Sequence, residues 1–281
     1  GNAWSTSGGL NTGREQLAGC GTQTATIAFG GNTNPSNYQA IAEQYNGSSW
    51  TEVGDLNLAR GQSAGFGSYT AAICAGGYLG DKTGNSETWD GSSWTETNNQ
   101  NQNRYYHAAA GTSTAGVVFG GYGPSTTGKT ETYDGTSYTE VNDLNTARYA
   151  LAGSGTQTAA LAFGGYVSTA LGNTESWNGS AWTEIADLNT ARNAVASANA
   201  GTTSSSLAFG GGGSASGNTE LWNGTSWSET TNLSVVRRFG AGSGTATIGL
   251  AFGGESTAAD STSTEEWNAN VAVGAWVSGG N

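Results

Sequence analysis

The sequence predicts an all-β protein made of six repeated units, each with four short antiparallel strands. Three observations predict this fold. A glycine pair closes an apolar run at steps of 43 to 46 residues. Each unit contains four strand-like runs, and five of the six place Asn-Gly or Asp-Gly before the last run. A repeat of this length indicates a solenoid, an array or a propeller. The glycine pairs begin at Gly30, Gly76, Gly120, Gly164, Gly210 and Gly253.

The first two predicted strands of each unit follow an arginine. In the fourth unit, Arg148 precedes a run of small residues, and a more apolar run ends at Phe163. The first strand consists of small residues. We therefore expect it to line a central axis, where the strands converge and there is least room. The second strand alternates large and small apolar residues, which suits a sheet covered on both faces.

The last two strands of each unit form a predicted hairpin. In the fourth unit, Glu175 and Trp177 belong to the third strand, and Trp182 begins the outermost one. Asn-Gly and Asp-Gly tolerate the positive φ of a tight turn, so we expect them to determine the register of these strands. These pairs begin at Asn46, Asp90, Asp134, Asn178 and Asn223.

The spacing within the repeat separates a constant framework from variable loops. Each repeat arginine lies ten positions after an outer aromatic residue, as Arg192 does after Trp182. In the fifth unit, residues 200–203 are expected to lengthen the hairpin between the first two strands. The segments after the glycine pairs, such as 78–86 and 166–174, vary most, as loops do.

This pattern resembles the kelch repeat: an arginine, an apolar strand closed by Gly-Gly, a Glu-x-aromatic element and a second aromatic residue about five positions later. The resemblance covers essentially the whole chain and implies a six-bladed kelch-like β-propeller with four-stranded antiparallel blades. It defines a single domain, 1–281, with 1–13 as closing strand and link. The repeat units are about 14–50, 60–94, 104–138, 148–182, 192–227 and 237–276.

The first residues of the chain are expected to close the ring. Gly1 to Trp4 matches the hairpin turn and outer aromatic residue of the other units, so this segment supplies the outermost strand of the last blade. Trp276 is the alternative for that place, and Trp4 is favoured. The remaining tail is expected to pack beside the blade or to lead into a further segment.

Composition excludes several function classes. The net charge is −12 with nine basic residues, which offers no basic stripe for nucleic acid. The sequence contains no run of about twenty apolar residues, so membrane insertion is not expected. The two cysteines, Cys20 and Cys74, occupy places filled elsewhere by Ser, Ala or Val, and are expected to be small buried residues without a disulfide.

The charged residues of the repeat are expected to be structural. One arginine and one glutamate recur in every unit, as a buried pair between strands or blades would, whereas a catalytic group normally occurs once. A second acidic set, which includes Glu52 and Glu184, follows the outer aromatic residues and is expected to face water. The repeated pairs are Arg14, Arg60, Arg104, Arg148, Arg192 and Arg237 with Glu43, Glu87, Glu131, Glu175, Glu220 and Glu265.

We find no catalytic pattern in the sequence and expect neither a metal nor a cofactor. His107 is the only histidine and is expected to pack in an inner strand, so the usual zinc and copper ligand sets are incomplete. A nucleophilic triad centred on His107 and a carboxylate pair in the loops are the less favoured alternatives. The acids Asp81, Glu255 and Asp260 in the variable loops are expected to be solvated.

The remaining hypothesis is a binding surface on the face that carries the loops between second and third strands. Tyrosines after the glycine pairs present rings for stacking on sugars, although the same rings are also suited to covering the blades. The candidate binding residues are Tyr78, Tyr122, Tyr166, Tyr38, Asp81, Lys82 and Lys129.

A second resemblance concerns the amino-acid composition of the repeats. The low-charge segments GTQTAALAFGG and SWTEIADLNTAR resemble kelch-type repeats of tail-fibre and other virion proteins of marine bacteriophages. This implies a non-enzymatic domain at a virion surface or outside the cell, with host-surface glycans or proteins, other virion proteins or further copies of the chain as partners. A secreted bacterial lectin or adhesin is the alternative, and a propeller-type hydrolase or lyase is a weaker one.

Overall fold

The computed structural model describes residues 2–33, 37–257 and 259–269, and these form a six-bladed β-propeller. Within these residues there are 24 β-strands and no helix. Each blade is a sheet of four antiparallel strands. The predicted fold class is therefore confirmed.

Blades 1 to 5 each use four consecutive strands. Blade 1 has β2 (Ala18–Thr22), β3 (Ala25–Phe29), β4 (Ala42–Tyr45) and β5 (Trp50–Glu52). Blade 2 has β6 (Ala64–Ser68), β7 (Ala71–Tyr78), β8 (Lys82–Trp89) and β9 (Trp94–Thr97). Blade 3 has β10 (Ala108–Thr112), β11 (Ala115–Phe119), β12 (Thr130–Tyr133) and β13 (Tyr138–Val141). Blade 4 has β14 (Ala152–Thr156), β15 (Ala159–Phe163), β16 (Thr174–Trp177) and β17 (Trp182–Ile185). Blade 5 has β18 (Ala196–Ser197), β19 (Ser206–Phe209), β20 (Thr219–Trp222) and β21 (Trp227–Glu229).

Blade 6 is built from both ends of the described chain. It contains β22 (Ala241–Gly244), β23 (Ile248–Phe252) and β24 (Thr264–Asn268), and β1 (Ala3–Ser7) is its outermost strand. Trp4 lies opposite Trp267 in the β1–β24 register. The predicted ring closure by the N-terminal strand is confirmed, with Trp4 in the outer place. Trp276 and the tail after residue 269 lie outside the described residues.

The innermost strands surround the axis as predicted. Each inner strand neighbours the inner strands of the adjacent blades, and β22 returns to β2. The residue four positions after the repeat arginine is alanine in every blade, because the convergence of the blades leaves little room there. These residues are Ala18, Ala64, Ala108, Ala152, Ala196 and Ala241.

The interfaces between blades are dry and aromatic. In blade 4, Leu161 and Phe163 of the second strand have no exposed surface. The indole of Trp182 meets Phe119 of blade 3 edge-on, with ring centroids 4.8 Å apart. Its Nε1 also donates to Thr130 Oγ1 of that blade at 3.0 Å. Aromatic packing and one hydrogen bond therefore join these neighbouring blades.

The repeated arginines and glutamates form buried ion pairs, as expected. Arg148 and Glu175 are representative: the guanidinium contacts Glu175 Oε1 at 2.6 Å, and the arginine has no exposed surface. The second carboxylate oxygen accepts from the backbone N–H and side-chain amide of Asn145, at 2.7 and 2.9 Å. Each pair thus joins the link that enters a blade to the third strand of that blade. Removing one partner of such a pair costs about 3–5 kcal/mol.

Local chain geometry differs from the prediction in two places. In the last hairpins the glycine alone takes positive φ, as in Gly179 at 92°, whereas the side chain of Asn178 accepts from two backbone N–H groups beyond it. The side-chain bond replaces the expected left-handed backbone. In blade 2, the predicted loop 78–86 is mostly strand, since Tyr78 pairs with Lys82 beyond a bulge after Ala75. The acids predicted to face water do so, and both cysteines are buried and free.

Candidate functional site

The upper face, as we call it, carries the loops between second and third strands and the links between blades. Its framework is the turn at each glycine pair. In blade 4, Gly164 and Gly165 take φ values of 66° and 115°, and Gly165 N–H donates to the carbonyl of Arg192 in the next link at 3.0 Å. A Cβ on Gly164 would lie 2.7 Å from that carbonyl oxygen. Glycine is therefore needed where the loop meets the link.

A short ladder above this turn brings two variable positions together. The residue after the glycine pair bridges the residue after the repeat arginine, as Tyr122 does with Tyr105 and Tyr166 with Tyr149. Both N–H groups of the Tyr122–Tyr105 bridge donate, at 2.8 and 3.1 Å. The rigid ladder thus holds side chains from the loop and the link next to each other.

A continuous row of tyrosines results, which we call the tyrosine arc: Tyr38, Tyr78, Tyr105, Tyr122, Tyr149 and Tyr166. Neighbouring ring centroids along the arc lie 5.1 to 5.7 Å apart. Every ring is partly exposed, and the arc extends from blade 1 to blade 4. Burial and the neighbouring phenols raise the pKa of Tyr105 and Tyr149, so these hydroxyls remain protonated at neutral pH. The arc offers apolar ring surface with hydroxyl donors and acceptors.

Inside the arc, a second set of residues surrounds the axis, which we call the mouth ring: Gln16, Gln62, Tyr106, Ala150, Ala194 and Phe239. Each lies two positions after a repeat arginine and has a φ of 52° to 60° although none is glycine. Each backbone N–H donates to the carbonyl of the equivalent residue in the preceding blade, at 2.7 to 3.1 Å. Because this ring of hydrogen bonds holds the backbone, the side chain at this position is free to vary among the blades.

Two aromatic side chains of the mouth ring meet across the axis. Tyr106 belongs to blade 3 and Phe239 to blade 6, on opposite sides of the propeller. Their rings stack with centroids 5.5 Å apart and an interplanar angle of 27°. The other sides are formed by Gln16 and Gln62, joined at 2.5 Å through their amides, and by two small alanines. The aromatic pair therefore spans the mouth, with the two glutamines on one side and the two alanines on the other.

Below the mouth, the axis is a series of small cavities. The upper axial cavity measures about 100 Å³, and His107, Ser63 and Leu151 are among its lining residues. At the lower end the lengthened hairpin of blade 5 enters the channel, and Asn199 Nδ2 donates to the carbonyl of Gly19 in blade 1 at 2.9 Å. Asn199 stands where the other five blades have a glycine of positive φ. The insertion predicted at residues 200–203 thus narrows the lower end of the channel.

The side of the upper face opposite the arc is charged. Arg238 Nε contacts Glu255 Oε2 at 2.7 Å, and the buried Glu15 lies near enough to Glu255 for their charges to interact. Burial, with the negative charges of Glu255 and Asp260, raises the pKa of Glu15 to about 7. Glu255 is partly exposed, and its pairing with Arg238 makes it part of the seam between blades 6 and 1.

The predicted binding residues divide into two groups. Tyr38, Tyr78, Tyr122 and Tyr166 come together in the tyrosine arc. Asp81 and Lys82 form an exposed pair at 3.5 Å beside it, at the tip of blade 2. Lys129 does not join them, because its ammonium contacts Glu140 of the outermost strand and Asp143 of the next link.

Sequence reasoning missed the inner half of the site. Tyr105, Tyr149 and the mouth ring belong to the links, which have constant length and contain no glycine signal. The available signal was side-chain variation at the two positions after each arginine. Among the described residues, no group of three His, Cys, Asp or Glu side chains could hold a metal ion. The same residues contain no helix long and apolar enough to cross a bilayer.

The chain was compared with known proteins. No protein-family model matches it. The search of curated proteins likewise found no similar sequence. Function therefore has to be argued from the upper face itself.

Proposed function

We propose that this propeller is a non-enzymatic binding protein that holds a neutral glycan on its upper face. The observation that carries the proposal is the tyrosine arc, six partly exposed rings in one row on a rigid framework. Tyrosine rings stack on the apolar faces of sugars, while their hydroxyls and the Gln, Asn, Ser and Thr side chains nearby suit sugar hydroxyls.

Charge supports a neutral ligand over an acidic one. The chain carries a net charge of −12, and Glu255 and Asp260 share the upper face with the arc. This negative charge would repel a sialylated or sulfated glycan.

The acidic groups of the upper face support binding without turnover. Glu255 is paired with Arg238 at 2.7 Å and Glu15 is buried, whereas the two carboxyl groups of a glycosidase both face the scissile bond. His107 is buried, and its Nε2 is bonded to the amide of Gln100, so this nitrogen is not free to act as a general base. Incubation with a panel of sugars that yields hydrolysed or eliminated products would instead favour a propeller-type enzyme.

A glycan array with purified protein tests the proposal. The variant with Tyr78, Tyr122 and Tyr166 changed to alanine should bind its glycan about tenfold more weakly or worse, because each lost aromatic contact is worth about 0.5–1.5 kcal/mol. Tyr69→Ala, a partly exposed tyrosine of the opposite face, is the matched control. Absence of binding by the native chain, or equal binding by the triple variant, would overturn the proposal.

We also propose that the domain is kelch-like and belongs to a virion or tail-fibre surface. The recurrence of arginine, Gly-Gly, Glu-x-aromatic and outer aromatic residue in every blade supports the kelch-like assignment. The low-charge amino-acid composition of the repeats supports the assignment to a phage virion. Neighbouring genes for capsid or tail proteins would strengthen it, whereas a secretion signal in the complete gene would favour a bacterial lectin or adhesin.

A further inference from the structure

One blade interface replaces an apolar contact with a polar pair. Six positions after the outer aromatic residue, five units have leucine and the unit before blade 3 has Gln100. Three positions after the arginine, blades 1 and 4 have leucine and blade 5 has valine, whereas blade 3 has His107. Both side chains pack against Gly76, as Leu188 and Val195 pack against Gly164 in the interface between blades 4 and 5. The nitrogens Gln100 Nε2 and His107 Nε2 lie 2.9 Å apart.

The hydrogen bonds around this pair determine where the imidazole proton lies. Arg104 Nε can only donate, and it contacts Gln100 Oε1 at 2.8 Å. The amide N–H of Gln100 therefore faces His107 Nε2, which must accept. Burial and the charge of Arg104 lower the pKa of His107 well below its ordinary value, so the ring is neutral. Its one proton is thus on Nδ1.

The imidazole that carries this Nδ1–H group is 5% exposed and lines the upper axial cavity. Ser63, from the adjacent blade, lines the same cavity. His107 Nδ1 and Ser63 Oγ are buried and find no hydrogen-bond partner among the described residues. Buried polar groups are nearly always hydrogen-bonded, so two groups on one cavity point to an oxygen-bearing occupant. The volume of about 100 Å³ holds about three water-sized groups, which is less than a whole sugar ring.

The upper axial cavity lies beside the tyrosine arc, because all six residues of the mouth ring line it. Its lining includes Tyr106 and Phe239 of the mouth ring on one side and Ala150 and Ala194 on another. Tyr106 also contacts the arc, with its ring 5.4 Å from that of Tyr105. Tyr106 therefore borders both the cavity and the arc.

We propose that the upper axial cavity is a subsite for the hydroxymethyl group of the neutral sugar bound on the arc. The sugar oxygen accepts from His107 Nδ1–H, and its hydroxyl exchanges a hydrogen bond with Ser63 Oγ. This inference rests on the proposed function, since the sugar ring remains on the tyrosines. A neutral donor pair in a small cavity accepts a primary alcohol and rejects a 6-deoxy sugar, which leaves both protein groups unpaired.

Nitrogen-15 NMR tests the subsite directly, because the chain has one histidine and therefore one imidazole signal set. We expect the Nδ1-protonated tautomer, without titration between about pH 5 and 8. Glycerol, which carries the primary alcohol without a sugar ring, and the best glycan from the array should each shift the Nδ1–H resonance saturably.

A double variant provides the matched control. Changing Gln100→Leu together with His107→Leu restores the pair that blade 4 has in Leu144 and Leu151, so the fold should be retained. The native chain should prefer a sugar with the hydroxymethyl group over its 6-deoxy analogue by about tenfold or more, and the double variant should lose this preference. His107→Gln with Gln100 retained checks that any loss is not a packing effect, since part of the preference should return.

The outcomes separate this inference from the proposed function. A shift with glycerol but no glycan on the array supports the cavity site and overturns the glycan proposal. Glycan binding with an unchanged Nδ1–H resonance supports the glycan proposal and overturns the subsite. An Nε2-protonated ring, or equal affinity for the sugar and its 6-deoxy analogue, also overturns the subsite.

Discussion

Individual residues of the mouth ring take a backbone conformation that their side chains disfavour. A non-glycine residue with positive φ costs on the order of 1 kcal/mol or more, and the repeat places one in every blade. The hydrogen bonds from blade to blade hold each in place. Since these positions hold Gln, Tyr, Ala and Phe, no local sequence signal indicates the strain. A binding site at the mouth requires a backbone that stays constant while its side chains vary.

At the same scale, Glu15 should make stability depend on pH. Its pKa is about 7 in the folded protein, against an ordinary value of 4.5, because burial and nearby acids disfavour the charge. Between these values the folded state holds a proton that the unfolded chain has released. Stability from this group is therefore fully present below about pH 4.5 and is lost as the pH rises through 7. Relative to Glu15→Gln, the native chain should lose about 1–2 kcal/mol between pH 5 and 8, a value reduced for partial access of water.

Urea unfolding of both proteins at a series of pH values measures this difference. Glu184→Gln, at an exposed carboxylate of blade 4, is the control and should follow the native curve. Parallel curves for the native chain and Glu15→Gln would show that Glu15 is ionised in the folded protein at neutral pH.

At the scale of strands and blades, much was predictable because each unit repeats its core. The burial of Phe163 in a second strand and the pairing of Arg148 with Glu175 follow from recurrence and spacing. The Asn178 turn and the extended hairpin of blade 2 did not follow, because a side-chain hydrogen bond and a β-bulge leave no periodic signal. The hydrogen bonds from outer tryptophans to threonines of the preceding blade were also missed, since each joins residues more than fifty positions apart or at opposite ends of the chain.

The hydrogen bond from an outer tryptophan to a threonine of the preceding blade is absent from the interface between blades 1 and 2. Trp94 Nε1 is buried and has no partner among the described residues, because Ala42 stands where blades 3, 4, 5 and 6 have threonine. The equivalent Trp227 donates to Thr174 Oγ1 at 3.1 Å. Ala42→Thr should therefore raise the free energy of unfolding by about 1 kcal/mol, the net value of one hydrogen bond.

A double-mutant cycle with Trp94→Phe tests the reason for the gain. Phenylalanine has no N–H, so Ala42→Thr in that background should give no stabilisation and should cost the burial of a hydroxyl. A gain of equal size in both backgrounds, read from denaturant unfolding, would mean that the introduced threonine stabilises the strand without contacting the indole.

For the whole molecule, the ring and its closure were predictable, but the arrangement of the upper face was not. Gly1 to Trp4 matches the turn of every other unit, and this match alone assigns β1 to blade 6. The tyrosine arc depends on links and loops of different blades converging on one face. Tyr38 and Tyr166 belong to the same row although 128 residues separate them. Only the curvature of the ring brings such positions together.

Ring closure by β1 makes the stability of the whole propeller depend on its first eight residues. Trp4 packs on Phe209 and Trp267, with ring centroids 5.1 and 5.3 Å away, and donates to Thr219 Oγ1 at 3.1 Å. A chain that begins at residue 9 loses this anchor and exposes the edge of β24. We expect it to be about 3–5 kcal/mol less stable, as after loss of a packed tryptophan, and to self-associate through the free edge.

Complementation in trans distinguishes closure from a general effect of truncation. A synthetic peptide of residues 1–8 should bind the shortened chain, return it to a monomer in light scattering and restore most of the lost melting temperature. The same peptide with Trp4→Ala retains the backbone donors of β1 but lacks the indole, so it should rescue far less. If the shortened chain melts like the native one and ignores both peptides, the remaining strands close the ring alone and β1 is an accessory strand. If both peptides rescue equally, main-chain pairing with β24 closes the ring without help from the tryptophan.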